Sequence, residues 1–173
     1  KLKGFIVGPD KRARTQLKMF GIKTGRTNQS TSRYPFNTAK PMRNIIKPNQ
    51  NWGLIYSDYK SQEIAIAAYL SKDQKLISAY ESGDPYIYAA QMAGSVPKDA
   101  TKQSHPKERN LYKVVLLATL YGQGSKSLAA RLNISVDEAV KIIADIKNVF
   151  SSYFEWSTGI VNRAMVRGYI TTK

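Results

Sequence analysis

Apolar residues are patterned differently in the two parts of the chain. From residue 1 to residue 51 the sequence is rich in Gly, Pro, Asn, Ser and Thr and has no sustained apolar period. It predicts short strands near Gly4–Val7 and Thr15–Phe20, and mostly irregular backbone between Gly21 and Gln50. A loop of that length inside a compact domain is normally functional or disordered, and the basic and aromatic residues here favour a functional loop.

Beyond residue 51 the pattern predicts one strand and then helices. The short apolar run Gly53–Tyr56 predicts a buried strand. After it, apolar residues recur at helical spacing, with Gly168 ending the last helix and Tyr169–Thr172 starting a strand. The predicted helices cover residues 60–71, 73–82, 85–93, 106–121, 127–132, 135–150 and 153–167.

The helix that starts at Ser135 has a capping box, because Glu138 follows Ser135 by three residues. Its apolar residues form one face, which we interpret as core rather than as a cofactor groove. That face comprises Ala139, Val140, Ile142, Ile143, Ile146, Val149 and Phe150.

The net charge of the chain indicates a class of binding partner. The 173 residues include 27 Lys and Arg against 12 Asp and Glu, a net charge of +15. This excess favours a polyanionic partner, nucleic acid before a membrane surface or an acidic protein. The basic residues are dense from Lys1 to Lys47, where Asp10 is the only carboxylate.

Several other classes are excluded by composition. The chain has no cysteine, so disulfide scaffolds, Cys-based zinc sites and thiol catalysis are ruled out, and His105 is its only histidine. No apolar run is long enough to span a membrane. The sequence begins with Lys1 and stops at Lys173 without an obvious terminator, so we expect it to be part of a longer protein.

One helical face carries the most specific pattern. Arg109, Lys113, Leu117 and Tyr121 recur every four residues, and Gly122 follows. On a helix they form a stripe that is basic at one end and aromatic at the other. A triphosphate could lie along the cations while a base meets the aromatic end. The plain alternative is an amphipathic helix with two solvated cations.

Asp58 is the best candidate for a catalytic carboxylate, because it follows the predicted strand, and Glu63 comes five residues later. Mg²⁺ is usually held by one or two carboxylates together with substrate phosphates and waters. Two-metal phosphoryl transfer needs a second carboxylate nearby, and the sequence offers no convincing one. The structural alternative for Asp58 is a helix N-cap.

Three blocks in order resemble the polymerase domain of family A, the polymerase I-like DNA polymerases, in the style of its phage-like members. Thr24-Gly25-Arg26 resembles the Thr-Gly-Arg that opens the family's palm. Asp58–Glu63, continuing to Leu70–Asp73, resembles motif A. Arg109, Lys113, Tyr121 and Gly122 resemble motif B, the fingers helix.

The resemblance implies a role for each matching residue. Asp58 would bind two catalytic Mg²⁺ ions, with help from the backbone carbonyl of Tyr59. Glu63, with Gln62 beside it, would lie at the sugar of the incoming dNTP and exclude a 2′-hydroxyl.

At motif B, the resemblance implies that Arg109 and Lys113 grip the triphosphate and that Lys113 protonates the leaving pyrophosphate. Tyr121 would stack where the templating base enters, and Gly122 would let the backbone approach that base. Arg26 would contact the primer end from the minor groove.

The chain departs from the family pattern in four places. Leu117 stands where Phe or Tyr is usual at the nucleotide sugar, and Ala65 replaces a common Arg. Lys60-Ser61-Gln62 is unusual within motif A. A third block, the His-Asp pair that supplies the second metal-binding Asp, is absent from this chain, so we expect the isolated chain to be inactive.

The alternative reading is a non-catalytic DNA-binding module. Leu128–Ala139 resembles a helix-turn-helix, which with the basic charge would suggest a regulator. It leaves Asp58, Glu63 and the Arg109 stripe unexplained, so we interpret it as two packed fingers helices.

Together with the resemblance, the pattern implies an α+β fold, with a partial antiparallel palm sheet and a mainly α-helical fingers lobe. Residues 1–71 are expected to form palm, 72–160 fingers, and 161–173 the start of a return to the palm. The partners implied are primer-template DNA and dNTPs, without a membrane, in the cytoplasm of a bacterium or a phage-infected bacterial cell.

Overall fold

The computed structural model describes residues 7–22, 25–29, 34–37 and 39–171. The chain divides into two compact units, Lys1–Asp58 and Tyr59–Lys173. Most of the predicted strand Gly4–Val7, together with Thr24 and Thr172, lies outside the described residues.

The described residues of the first unit contain little regular structure, as the sequence predicts. Strand β1 (Leu17–Lys18) pairs antiparallel with β2 (Asn28–Gln29). Val7 forms a single antiparallel bridge with Ala13. Short 3-10 helices follow at Pro35–Asn37 and Lys40–Ile45. The predicted strand at residues 15–20 is confirmed, although only two of its residues pair.

The predicted buried strand Gly53–Tyr56 is wrong. These residues have no strand structure, and the side chains of Leu54, Ile55 and Tyr56 are 52%, 91% and 67% exposed. A strand needs a neighbour to satisfy its backbone, and within the described ranges no segment pairs with this one. Asp58 therefore does not end a strand here, and Tyr169–Thr171 likewise forms none.

The second unit is helical, and every predicted helix is confirmed within a few residues. Because this unit carries nearly all of the regular structure in the described ranges while the first carries a small antiparallel sheet, the α+β fold class is confirmed. Its helices are α1 (Gln62–Ser71), α2 (Gln74–Glu81), α3 (Pro85–Met92), α4 (Pro106–Leu120), α5 (Ser125–Leu132), α6 (Val136–Val149) and α7 (Ser151–Arg167).

The core of the second unit is built from small and aliphatic residues, so the helices approach closely. Alanines at positions 68, 79, 89 and 90 are fully buried among Ile64, Leu76, Val115, Leu128, Ile146 and Phe150. The capping box is confirmed in part, since the Ser135 hydroxyl accepts from the Glu138 amide at 3.1 Å. Val140, predicted to be in the core, is 49% exposed because it is one residue, or 100°, round from buried Ala139.

Asp73 joins two distant parts of this unit. It is 3% exposed. Its Oδ1 accepts from the amide of Leu76, 3.0 Å away, and so caps α2. Its Oδ2 accepts from the amide of Tyr153 in the first turn of α7, 2.9 Å away. One carboxylate therefore satisfies orphan amides of two helices, α2 and α7.

No helix among the described residues is both long enough and apolar enough to cross a bilayer.

Replacing Asp73 should destabilise the chain more than loss of an ordinary cap. Asp73→Ala removes both hydrogen bonds and leaves a buried amide unpaired, so we expect the free energy of unfolding to fall by about 2–4 kcal/mol. Ser135→Ala, the control, removes one exposed cap and should cost about 1 kcal/mol. Urea denaturation of both variants measures the difference. Equal losses would mean that the bond to Tyr153 contributes nothing.

Candidate functional site

The ends of α4 are set by local sequence signals. Pro106 occupies the first turn, where its missing N–H costs nothing. At the other end Gly122 adopts φ +73°. The amide of Gly122 donates to the Thr119 carbonyl and that of Gln123 to the Ala118 carbonyl, at 3.0 and 2.8 Å. This pair of bonds is a Schellman motif, which explains why glycine is needed at this position.

A Cβ at residue 122 should therefore destabilise the chain, whereas one at Gly159 should not. Gly122→Ala forces a non-glycine residue into the left-handed region and should lower the free energy of unfolding by about 1–2 kcal/mol. Gly159 lies inside α7 with negative φ, and its added Cβ would meet only the end of the Arg163 side chain at 3.4 Å. Gly159→Ala should therefore stabilise by up to about 1 kcal/mol. Thermal or urea unfolding should show opposite signs, and equal signs would contradict this account.

The predicted stripe lies on the outer side of α4. Tyr112, Val115 and Leu116 bury the opposite side in the core. On the stripe, Lys113 is exposed and Tyr121 is 66% exposed. The remaining stripe residues, Arg109 and Leu117, are half-buried. The two cations and the tyrosine are thus on an accessible face.

Arg109 is held by residues of α3 rather than left in solvent. Its Nε donates to Oδ2 of Asp84 at 2.5 Å, with the two side chains 29% and 18% exposed. Oδ1 of Asp84 accepts from the amides of Tyr86 and Ile87, so the same carboxylate caps α3. The plain alternative of two freely solvated cations is therefore wrong for Arg109.

Tyr86 lies beneath both cations of the stripe. The guanidinium carbon of Arg109 is 5.3 Å from the centre of its ring, and Nζ of Lys113 is 5.8 Å from it. Both distances fall within the range of cation–π attraction. Tyr86 is 7% exposed, so its ring is a fixed surface.

The aromatic end of the stripe contacts α1. The Tyr121 hydroxyl donates to Oε1 of Glu63 at 3.2 Å, joining residues 58 positions apart. The structure therefore brings Glu63 of α1 into contact with Tyr121, at the C-terminal end of the helix that carries Arg109 and Lys113. Gln62, which precedes Glu63, and Tyr59, four residues before Glu63, are both exposed.

On the buried side of α4, Tyr112 shares a hydrogen bond of 2.5 Å with the Ser95 hydroxyl. Burial raises the pKa of the Tyr112 phenol above its ordinary value. Burial likewise raises the pKa of Tyr153. Each phenol is favoured in its neutral form by the fold.

This burial predicts alkaline destabilisation. Above pH 10 an unfolded tyrosine loses its proton while buried Tyr112 keeps it, so stability falls as pH rises, by up to about 1.4 kcal/mol per pH unit for each such phenol. Tyr112→Phe should flatten the loss measured by urea unfolding at pH 9 to 11. Tyr69→Phe, at an exposed side chain, should leave the slope unchanged, and equal slopes for all three proteins would contradict the assignment.

The remaining predicted residues lie in the first unit. Arg26 is exposed, and its carbonyl accepts from the Ile22 amide in a turn where Gly25 has φ +78°. Asp58 is exposed in irregular backbone. Near the start of the unit, the Arg14 guanidinium hydrogen-bonds to Asp10 and lowers the pKa of that carboxyl to about 2.

Metal ligands are sparse in the part of the chain that the structure describes. No group of three or more His, Asp or Glu side chains there could hold an ion. Asp58 offers one accessible carboxylate, which suits a partial Mg²⁺ site and not a complete pair of sites.

Sequence reasoning missed Asp84 and Tyr86. The segment Gly83-Asp84-Pro85 was predictable as a break between helices, and Asp before Pro is an N-cap signal. Neither signal reveals that the carboxylate also reaches Arg109, 25 residues later.

Comparison with known proteins identifies the family. Residues 1–173 match DNA polymerase family A. The chain is 27% identical to DNA polymerase I of Synechocystis sp. over 173 residues, covering 96% of this chain and 17% of that protein. It is 28% identical to the thermostable DNA polymerase I of Thermus thermophilus over 93% of this chain and 20% of that protein.

A phage protein and a solved structure are similar to the chain as well. The DNA polymerase of Mycobacterium phage D29 is 29% identical over 65% of this chain and 18% of that protein. The POL domain of Pol1 from M. smegmatis, in complex with DNA primer-template and dNTP, superimposes with a TM-score of 0.75 at 27% identity, covering 99% of this chain and 30% of that one. The chain belongs to DNA polymerase family A. It spans about a fifth or less of the length of these curated relatives.

Proposed function

We propose that this chain is the palm-and-fingers part of a template-directed DNA polymerase, which transfers a nucleotidyl group from a dNTP to a primer 3′ end. The observation that carries the proposal is the stripe of Arg109, Lys113 and Tyr121 on the outer side of α4, with Glu63 of α1 hydrogen-bonded to Tyr121 at one end, in a member of family A. In this reaction the primer 3′-hydroxyl loses its proton to water, its oxygen bonds to the α-phosphorus, and the bond from that phosphorus to the departing pyrophosphate breaks.

Arg109 and Lys113 supply the positive charge that this reaction needs. Phosphoryl transfer depends mainly on positioning and on electrostatic stabilisation of charge spread over phosphate oxygens. The two cations, one helical turn apart on the outer side of α4, bind the triphosphate. Lys113, which is exposed, also donates a proton to the leaving pyrophosphate.

Glu63 and Tyr121 occupy the sugar and base end of the same face. The carboxylate of Glu63 lies beside the nucleotide sugar, where a 2′-hydroxyl is excluded, and Gln62 lies next to it. The Tyr121 hydroxyl bond holds Glu63 in place until the templating base enters, and Gly122 leaves room for that base. Leu117 provides an aliphatic surface at the sugar where the family usually has an aromatic one.

The chain also binds the primer. Residues 1–71 act as palm, with Arg26 contacting the primer end from the minor groove, while 72–160 act as fingers and 161–173 lead back towards the palm. Primer-template DNA and dNTPs are the partners, in a bacterial or phage-infected cytoplasm. The basic charge of +15 matches a DNA partner.

In the complete enzyme Asp58 would hold the Mg²⁺ ions, with help from the Tyr59 carbonyl. Those ions would stabilise the charge on the phosphates. Because this chain contains one suitable carboxylate and a two-ion site needs another, the isolated chain does not catalyse.

Primer extension by the full-length natural protein tests this function. Lys113→Ala should lower kcat/KM for dNTP by about 100-fold or more, because it removes a positive charge that stabilises the transition state. Asp58→Ala should abolish extension. Lys107→Ala removes another exposed cation, in the first turn of the same helix, and should keep near-normal activity.

Failure of the natural protein to extend a primer, with salt-sensitive DNA binding intact, would favour the non-catalytic binding module instead. A helix-turn-helix regulator is the less suitable form of that alternative. Asp137 and Glu138 place two carboxylates in the first turn of α6, where a recognition helix would approach DNA phosphates.

A further inference from the structure

Two residues of α3 outside the three family blocks contact the triphosphate-binding cations. Asp84 and Tyr86 lie at the start of α3, and both contact α4. Resting on the proposed function, we propose that they are positioning residues for the dNTP triphosphate. Asp84 fixes the direction of the Arg109 guanidinium, and the Tyr86 ring supports Arg109 and Lys113 together.

The geometry of the ion pair leaves Arg109 able to bind a phosphate. The Nε group of Arg109 donates its hydrogen bond to Oδ2 of Asp84, with 2.5 Å between the nitrogen and the oxygen. Among the described residues, no other side chain hydrogen-bonds to this guanidinium, so its two terminal Nη groups keep their donors. A guanidinium fork binds phosphate oxygens in bidentate fashion, so these are the groups a triphosphate needs.

Asp84 is itself rigid. Its Oδ1 accepts from the amides of Tyr86 and Ile87 at 3.3 and 3.4 Å, which fixes the carboxylate on the helix end. A long arginine side chain loses rotamer freedom when it binds a ligand, and this cost reduces affinity. Asp84 holds Arg109 before the nucleotide arrives, so that loss does not weaken nucleotide binding.

Tyr86 acts on both cations at once. Its buried ring lies 5.3 Å from the Arg109 guanidinium and 5.8 Å from Lys113 Nζ. The negative face of an aromatic ring attracts cations, so both can stay close together despite their like charge. Two adjacent positive charges are what a polyphosphate recognises best.

The test is steady-state dNTP incorporation by the full-length natural protein and its Asp84→Asn variant. Asparagine caps a helix as well as aspartate but cannot form the ion pair. We expect KM for dNTP to rise by about 3- to 10-fold with kcat little changed, because a binding geometry common to ground and transition states is lost. Asp137→Asn removes an exposed first-turn carboxylate of α6, without an ion pair among the described residues, and should leave KM unchanged.

A double-mutant cycle separates positioning from a merely structural role. In an Arg109→Ala background, Asp84→Asn should have no further effect on KM, because the group that it orients is gone. Full additivity of the two effects would overturn the proposal. An unchanged KM in Asp84→Asn alone would also overturn it.

Tyr86 is tested by a graded pair. Tyr86→Phe keeps the aromatic face and should raise KM less than Tyr86→Leu, which removes it. Equal effects would overturn the role of the ring. These results differ from failure of the proposed function, in which the unmodified protein does not extend a primer at all.

Discussion

The Asp73 carboxylate is the constraint on which the helical unit depends. It accepts hydrogen bonds from amides at the starts of α2 and α7. The α7 amide belongs to Tyr153, which is 80 residues from Asp73 in the sequence. Since only Lys72 separates the end of α1 from Asp73, the turn between α1 and α2 is fixed against α7 by the same group. A buried carboxylate without hydrogen-bond donors would lower the stability of the fold. The Asp73 carboxylate therefore depends on the amides of the two helix starts, and those amides depend on the carboxylate.

That constraint reaches the candidate site through packing. Helix α1 carries Glu63 and packs on both α2 and α7, while α3 carries Asp84 and Tyr86 and packs on α4. The hydrogen bond from Tyr121 to Glu63 then connects the end of α4 back to α1. The accessible face of α4 is thus positioned by neighbours on both sides rather than by α4 alone.

The helices could be predicted from sequence because their signals are local. Pro106, Gly122, Ser135 and Gly168 lie at the helix ends they predict, and the apolar period identifies the buried faces. The predicted strand Gly53–Tyr56 failed because a strand depends on a partner segment, which local sequence does not specify. Among site residues, the stripe from Arg109 to Tyr121 follows from helical spacing.

The contacts of that stripe with Asp84 and Tyr86 could not be predicted, since they join separate helices. Periodicity identifies the outer face of a helix but not the side chains that a neighbour places against it. The contact of Arg26 with the primer and the binding of two metal ions by Asp58 came from the family resemblance and remain predictions, as does the division into palm and fingers.

The position of Tyr86 under two cations has a mechanical consequence. Arg109 and Lys113 are about 6 Å apart along the axis of α4, at 1.5 Å per residue. One ring on a second helix contacts both, so a sliding of α3 along α4 would change the two contacts in opposite directions. The Tyr86 ring can therefore contact both positive charges only at one register of the two helices.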